Sequence, residues 1–297
     1  MGPALRGAWN KNLSHLIGPP LGESNSQGYI LKTQEMGPGR SVLAAFILLA
    51  MVASQSPAFG EWYVAGFGGK SISPNISNAE MNTYGERLAY QQFPLATNSN
   101  LATLTQTFKT SDLDMKSSAT FGGKVGYFFK EEKLPWLGVE LEAFTNTPTI
   151  KSQTVTTQQD INYAPKTIQL PCQGLPNPTC PIAVTNKGTL QLSESSLRVI
   201  TVAFNVIARY PGEVLQPYVG VGAGALYFQS SSGSIQGRQW TPGFNAQAGL
   251  KVLIAEEWGL FVEGKYNLAN LSNFDPTFGL SGQYSVFHAV AGVAYHF

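Results

Sequence analysis

The sequence predicts an all-β protein: an eight-stranded antiparallel up-and-down transmembrane β-barrel with two long extracellular loops. Three observations support this prediction. Eight segments alternate apolar and polar residues with the period of a β-strand. The connections between these segments alternate between short and long. The composition combines 31 glycines and 11% aromatic residues with only 12% charged residues, about half the charged share usual in soluble domains.

The same composition excludes several other classes of protein. Abundant aromatic residues and a net charge of +1 argue against intrinsic disorder. A nucleic-acid-binding protein would need a basic excess to displace counterions from phosphates, and this sequence has none. A helical membrane protein with several spans would need repeated apolar runs of about 20 residues, which the sequence lacks.

The first 60 residues are expected to lie outside the barrel. Residues 41–53, SVLAAFILLAMVA, form an apolar run that is too short for a membrane-spanning helix. Arg40 precedes this run and small residues follow it, which is typical of a signal peptide, here residues 36–60. A buried helix of a globular domain is the alternative. Residues 1–35 show no hydrophobic period, and we expect an over-extended gene reading or a disordered segment before a start at Met36.

The barrel itself is expected to cover residues 61–297. Each of its predicted strands is about ten to fifteen residues long, which suits a tilted strand that crosses a bilayer. The eight strands are residues 61–70, 119–130, 136–146, 196–210, 217–229, 241–255, 258–269 and 283–297.

The connections are sorted by length. Short turns follow the second, fourth and sixth strands, whereas residues 71–118 and 147–195 form the two long connections. An even strand count leaves both termini at the short-turn end, and the signal peptide places that end in the periplasm. The long loops are then extracellular. Part of residues 101–117 or 184–195 could pair with the sheet and raise the strand count to ten.

The two faces of the predicted strands differ in polarity. In the sixth strand Phe244, Leu250 and Val252 share one face, opposite Asn245 and Lys251. This pattern fits a soluble barrel with an apolar interior or a membrane barrel with the reverse arrangement. The signal peptide, the sorted loops and an aromatic girdle near the short turns favour the membrane barrel. The girdle residues are Trp62, Tyr127, Phe129, Trp136, Tyr210, Tyr218, Trp258, Tyr295 and Phe297.

The alternation of apolar and polar residues along the strands predicts that seven charged residues face the barrel interior. An eight-stranded barrel is only just wide enough for its own side chains, and an unpaired buried charge is costly. We therefore expect a structural plug of ion pairs, with a narrow, gated ion path as the alternative. The seven residues are Lys124, Glu140, Glu142, Arg209, Lys251, Glu263 and Lys265.

No catalytic, cofactor-binding or metal site is expected. The predicted mature chain has two histidines, His288 and His296. Ser285 lies three residues before His288, so their side chains fall on opposite faces of a strand and cannot form a catalytic dyad. Two cysteines are too few for a structural zinc site.

Cys172 and Cys180 lie in the second long loop, within the proline-rich segment LPCQGLPNPTCPI. In an oxidising compartment such a pair indicates a disulfide, with two free thiols as the alternative. The small ring would contribute roughly 2–3 kcal/mol by constraining the unfolded loop. A loop stiffened in this way loses less entropy on binding, which fits a recognition role.

The last strand carries a family resemblance. It ends in Phe297, with Tyr295, Val293 and Phe287 at alternating positions before it. This end resembles the terminal strand of bacterial outer-membrane barrels. The segments FGGKVGYFF, PWLGVELEAF and PYVGVGAGALYF are similar to strands of the eight-stranded outer-membrane protein β-barrel family. That family includes the transmembrane domain of outer membrane protein A and opacity-type proteins.

The resemblance covers about residues 61–297 and implies a place in the outer membrane of a Gram-negative-type bacterium. It also implies contact with outer-membrane lipid, and an assembly signal at Phe297 and Tyr295 that the barrel-assembly machinery recognises. It does not fix a function, because members serve as adhesins, anchors, small pores and a few enzymes. The long loops favour a structural or adhesin-like recognition role toward an extracellular ligand. A small outer-membrane channel or porin is the alternative, and neither a cofactor nor a nucleic-acid partner is expected.

Overall fold

The computed structural model describes residues 61–130, 133–168 and 180–297. Eight of the strands in these residues form the wall of a barrel: β1 (Glu61–Met81), β4 (Ala119–Phe129), β5 (Leu134–Asn146), β9 (Ser195–Arg209), β10 (Leu215–Ser230), β11 (Gly237–Leu253), β12 (Trp258–Leu271) and β13 (Leu280–His296). The long connections hold β2 (Ala102–Thr110), β3 (Leu113–Lys116), β6 (Thr149–Ile150), β7 (Gln153–Pro165) and β8 (Ile182–Leu192). They also hold helix α1 (Asn82–Gln92) and the 3-10 helix Pro94–Thr97. The predictions for residues 1–60 fall outside the described residues.

The wall closes on itself through antiparallel pairing. The strands pair in the order β1, β4, β5, β9, β10, β11, β12 and β13, and β13 pairs back with β1. At this seam the backbone N–H of Phe297 donates to the carbonyl of Trp62, at 3.0 Å. A closed ladder leaves no strand edge in the wall, as a bilayer requires. The predicted eight-stranded barrel is confirmed, and within the described residues no further strand enters the ring.

The outer surface of the wall is apolar. Phe204, Val221 and Val262 point outward and are 54%, 56% and 58% exposed. Inward neighbours on the same strands, such as Asn205 and Glu263, are buried. A contiguous apolar band of this kind would be unfavourable in water, and it matches the lipid-facing surface of a membrane barrel.

Aromatic residues mark both edges of the apolar band. Trp136, Tyr210 and Trp258 are exposed near the short turns, and at the other end the ring of Trp240 lies 4.9 Å from that of Tyr227. The thirteen residues of β11 from Trp240 to Val252 span roughly 30 Å along the barrel axis, at about 3.4 Å per residue and a tilt of about 40°. This span equals the hydrocarbon thickness of a bilayer, about 30 Å.

One residue predicted for the aromatic girdle lies elsewhere. Tyr218 is only 8% exposed and points into the barrel. It shares the inward parity of Gly220 and Gly222 on β10, so its ring cannot reach lipid. Its position at a strand end beside a short turn favours the girdle. Whether its side chain faces lipid or the interior depends instead on its place in the alternation of β10.

The first long connection is more ordered than predicted, because β1 runs on to Met81. The strand contains two register shifts, between Ile72 and Asn75 and between Ser77 and Glu80. Ser73 and Asn78 lie within these shifts, with positive φ angles of 46° and 51°. Such bulges interrupt the period-two pattern, so the sequence of this segment has the character of a loop.

Above the barrel, strands of the two long connections extend the sheet beyond β1. β2 pairs with β7, β7 pairs with β8, and Glu80 of β1 pairs with Lys109 of β2. We call β2, β7 and β8 the extracellular sheet, because long connections of outer-membrane barrels face outward. The segments that could have extended the barrel therefore pair outside the ring.

Helix α1 packs on the extracellular sheet through small residues. Gly85 and Ala89 form its buried face. A Cβ atom on Gly85 would lie only 2.5 Å from the Cβ of Phe108, so glycine permits the close approach. Pro94 begins the 3-10 helix that follows, and the stacked rings of Phe93 and Tyr163, 4.8 Å apart, hold this end. Among the described residues no helix is long and apolar enough to cross a membrane.

Replacing Gly85 with valine should lift α1 from the extracellular sheet. The added side chain overpacks the contact with β2, which typically costs about 1–3 kcal/mol. We expect faster cleavage of α1 by external protease in intact cells, with unchanged heat-modifiable mobility of the barrel. Gln91→Val is the matched control, because it adds the same β-branched side chain at an exposed position of α1. Equal protease resistance of both variants would contradict this packing.

The upper interior of the barrel is filled by an apolar cluster, which we call the apolar plug. Its side chains come from the wall strands and from both long connections. They include Ile76, Met81, Phe108, Leu113, Met115, Ile150, Val155, Leu192, Leu197, Val199, Leu226, Phe228, Ile235, Leu271, Phe274, Leu280, Tyr284 and Val286. The plug joins the wall to the extracellular sheet in one packed core.

Candidate functional site

The seven charged residues that the sequence assigned to the interior lie there, each at most 6% exposed. They form two groups at different depths. Lys124, Glu140, Glu142, Glu263 and Lys265 meet in the middle of the barrel. The other two, Arg209 and Lys251, lie near the periplasmic end.

The middle group is a connected set of ion pairs. The ammonium of Lys124 lies 3.1 Å from Oε2 of Glu140 and 2.7 Å from Oε2 of Glu263. The ammonium of Lys265 lies 2.7 Å from Oε1 of Glu263 and also pairs with Glu142. Glu263 therefore bridges Lys265, on its own strand β12, and Lys124, on β4.

Amide side chains occupy the remaining acceptors of these carboxylates. Asn245 donates to Oε1 of Glu142 at 2.5 Å, and Gln247 donates to Oε1 of Glu140 at 2.8 Å. Asn205 donates to both glutamates, at 3.3 Å to Glu140 and 3.1 Å to Glu142. Buried charges are tolerated when they are both paired and hydrogen-bonded in this way.

Two tyrosines extend the network, and the sequence did not assign either of them to it. Tyr218 donates to Oε2 of Glu263 at 2.7 Å, and Tyr63 donates to Glu140. Both tyrosines occupy strand positions whose side chains face the barrel interior. Assigning alternate residues of β1 and β10 to the interior, without exception, would have predicted that both tyrosines face inward.

The periplasmic group contains a fourth carboxylate that the sequence did not assign to the interior. Nη1 of Arg209 donates to Oε1 of Glu61 at 2.6 Å, and Nδ1 of His296 lies 2.8 Å from the same atom. The ammonium of Lys251 lies 3.2 Å from Nε2 of His296 and 4.5 Å from the ring centre of Tyr63. With Glu61 the described residues of the interior include four carboxylates and four Lys and Arg side chains, so their formal charges balance.

Little free space remains between these groups in the described residues. A cavity of about 10 Å³ remains between Tyr63, Lys124, Arg209 and Lys251. This is about the volume that one water molecule needs. The apolar plug lies on the extracellular side of this level. The described residues thus fill the barrel at two levels, with ion pairs at one level and apolar side chains at the other.

Ser285 and His288 lie apart, as strand parity predicted. The hydroxyl of Ser285 donates to Oδ1 of Asn75 at 2.5 Å, on the outer side of β13. Nδ1 of His288 points inward and lies 2.9 Å from the hydroxyl of Thr120. The described residues hold no group of three or more His, Cys, Asp or Glu side chains that could bind a metal ion.

The remaining predicted residues lie at the two ends of the barrel. Phe297 is 41% exposed at the periplasmic rim, and the ring of Tyr295 packs between Phe297 and Trp258 at centre distances of 6.1 Å and 5.0 Å. Their role as an assembly signal stays a prediction. Cys180 is buried, but Cys172 falls outside the described residues, so the disulfide also stays a prediction.

The extracellular sheet presents two different faces. The face away from α1 is polar and exposed, with Thr103, Thr105, Lys109 and Gln158 among its residues. The neighbouring Asp160 accepts a hydrogen bond from Thr185 at 2.7 Å, which lowers the pKa of its carboxyl. The opposite face carries α1 and a groove beside it.

A match to a protein family agrees with this architecture. The family described as outer membrane protein beta-barrel domain matches residues 41–297. None of the curated proteins matches the sequence. Among solved structures, Neisserial surface protein A is 10% identical with a TM-score of 0.40, over 82% of this chain and 100% of its own.

Two further solved structures show similar coverage. Ail, the attachment invasion locus protein of Yersinia pestis, is 13% identical with a TM-score of 0.36, over 81% of this chain and 100% of its own. The outer membrane protease OmpT from Escherichia coli is 11% identical with a TM-score of 0.40, over 82% of this chain and 100% of its own. On the family match and the closed, lipid-facing wall, this chain belongs to the outer membrane protein β-barrel domain family and lies in the outer membrane of a Gram-negative bacterium.

Proposed function

We propose that this protein is a surface-recognition protein, adhesin-like in role, whose barrel is a closed anchor and whose extracellular sheet is the binding surface. The observation that carries the proposal is the contrast between the two parts. The interior is filled by ion pairs and the apolar plug. The long connections, in contrast, form a sheet with its own packed cluster around Phe93, Ile161 and Tyr163.

An ordered protrusion suits recognition for a thermodynamic reason. Binding by a flexible loop must offset the entropy of ordering that loop, whereas a preformed surface avoids most of this cost. The extracellular sheet is fixed by β-ladders and by α1, which is tied to the β12–β13 connection. There the backbone N–H of Tyr84 donates to the carbonyl of Phe278, at 3.1 Å.

The alternative of a small channel has less support. A conducting barrel needs a hydrated path, and the ion pairs around Glu263 and the apolar plug occupy that path. An enzymatic role also has little support, because Ser285 and His288 lie on opposite sides of the wall. We therefore assign neither conduction nor catalysis to this chain.

Attachment of whole cells tests the recognition role. In the test variant, residues 155–190 are replaced by a short Gly/Ser turn, since Thr154 and Gln191 are cross-strand partners that such a turn can join. Cells displaying the native protein should attach to wells coated with matrix proteins or polysaccharides, and cells displaying the variant should not. Equal attachment of both at equal surface levels would contradict the proposal.

We further propose that the barrel-assembly machinery recognises the exposed end of β13 and that outer-membrane lipid covers the apolar band. Deleting Phe297, or replacing it with Asp, should then lower outer-membrane levels and leave periplasmic aggregates. Fractionation and immunoblotting measure both quantities. Thr277→Asp, in the β12–β13 connection, is a control that adds the same charge away from the end. Normal insertion of both Phe297 variants would contradict the assembly signal.

A further inference from the structure

A groove of about 320 Å³ lies between α1 and the extracellular sheet. One wall is the exposed side of α1, with Leu88 and Gln92, and the other is the α1-facing side of β7 and β8. Pockets that hold small molecules begin at about 300 Å³. The groove therefore has the size of a ligand site on the surface that the proposed function assigns to recognition.

The lining of the groove combines apolar surface with uncharged hydrogen-bonding groups. Tyr84, Leu88, Phe108 and Leu190 supply the apolar part. The polar part consists of the side chains of Gln92, Thr157, Gln159 and Asn186, whereas Lys187 and Thr189 border the groove at positions whose side chains belong to the other face of β8. Such a surface favours a neutral, amphipathic ligand over a strongly charged one.

Two amide side chains of the groove are held in place. Gln159 is 4% exposed, and its amide nitrogen donates to the carbonyl of Gly85 at 2.7 Å. Asn186 donates to Oε1 of Gln92 at 3.2 Å and so connects β8 to α1 across the groove. Polar groups fixed in this way lose little entropy when a ligand binds.

Gly188 leaves open space beside the backbone of β8 in the groove. It lies within β8, where glycine weakens a strand, and its φ is not positive. A Cβ atom at this position would meet only Oγ1 of Thr157, at 3.5 Å, which is ordinary contact. Neither backbone conformation nor packing therefore requires glycine. A glycine within a strand also allows close approach of a ligand to the backbone.

We propose that this groove binds a neutral oligosaccharide, an inference that rests on the recognition role of the extracellular sheet. A pyranose ring has an apolar C–H face and a rim of hydroxyls that both donate and accept hydrogen bonds. The apolar side chains Tyr84 and Leu88 match that face, and the amides of Gln92 and Asn186 match the rim. Gly188 lets the ring approach the backbone of β8.

The test uses the full-length protein in detergent micelles on immobilised oligosaccharides. The probes are neutral oligosaccharides of glucose, galactose, mannose and N-acetylglucosamine, with a sulfated heparin oligosaccharide for comparison. We expect saturable binding of at least one neutral probe. Gly188→Val should weaken it by at least about ten-fold, because the new side chain fills the groove. Ala183→Val, on the other face of β8, is the matched control and should leave binding unchanged.

A second variant distinguishes loss of binding from misfolding of the protein. Gln92→Ala removes one amide from an exposed position of α1 and should also weaken binding, while heat-modifiable mobility stays native. The inference is overturned if no neutral probe binds, if only the heparin oligosaccharide binds, or if Gly188→Val binds like the native protein. Loss of cell attachment in the hairpin replacement, with full attachment by Gly188→Val, would also overturn it while leaving the recognition role intact.

Discussion

Replacing Glu263 with alanine should lower the free energy of unfolding by about 3–5 kcal/mol, the usual effect of removing one partner from a buried ion pair. Glu263 is 4% exposed and contacts both Lys124 and Lys265. Its loss leaves these lysines with fewer carboxylates in the closed interior, and it removes the acceptor of Tyr218. Urea unfolding of the refolded protein in lipid vesicles measures the change.

The control for this prediction is Glu256→Ala, on the exposed turn between β11 and β12. A surface carboxylate of this kind should change stability by no more than about 0.5 kcal/mol. If the two variants unfolded at the same urea concentration, the interior ion pairs would contribute nothing to stability. The interior would then be hydrated, contrary to its packing in the structure.

Replacing Val221 with arginine should cost about 2–4 kcal/mol, because a charged side chain would face lipid near the midplane. Val221 points outward on β10, between the two aromatic bands, and is 56% exposed on the lipid-facing side. Val252→Arg should cost only about 0–1 kcal/mol, since this residue pairs with Leu260 beside the periplasmic band.

Val221→Leu controls for the change in side-chain size at the midplane. The measurement is again urea unfolding in vesicles, with all three variants compared at one lipid composition. A cost that depends on depth would support the lipid-facing assignment of the wall. Equal costs for Val221→Arg and Val252→Arg would contradict it.

The barrel wall could be predicted because the polarity of successive residues alternates along each of its strands. Each wall strand has a polar interior and an apolar exterior, so alternate residues such as Lys251 and Val252 differ along its length. Short turns and girdle residues such as Trp258 then set the ends of the strands. The eight predicted strands agree with the structure to within a few residues at most ends, with β1 as the main exception.

The upper part of the molecule could not be predicted in the same way. The bulges at Ser73 and Asn78 change the parity of β1, so the pattern beyond residue 70 has no constant period. In β8 residues 185–189 are all exposed, so the alternation is lost over this stretch. The pairing of β2 with β7 is visible only in three dimensions.

The interior network was predictable in composition but not in its connections. The alternation of residues along the strands predicts that seven charged residues face the interior. It cannot show that Glu263 forms ion pairs with two lysines. It also missed Glu61, which is the first residue of β1 and has no preceding alternation to assign its face. The groove beside Gly188 could not be predicted either, because it depends on the pairing of the extracellular sheet, which the sequence pattern does not show.

We propose that the barrel is closed and that the function of the protein lies outside the membrane. Single-channel recording of the refolded full-length protein in a planar lipid bilayer tests this claim most directly. The packed ion pairs and the apolar plug predict a flat current trace at moderate voltage, with no steps above the lipid baseline. Reproducible current steps of uniform size would show a hydrated path through the barrel and would contradict the claim.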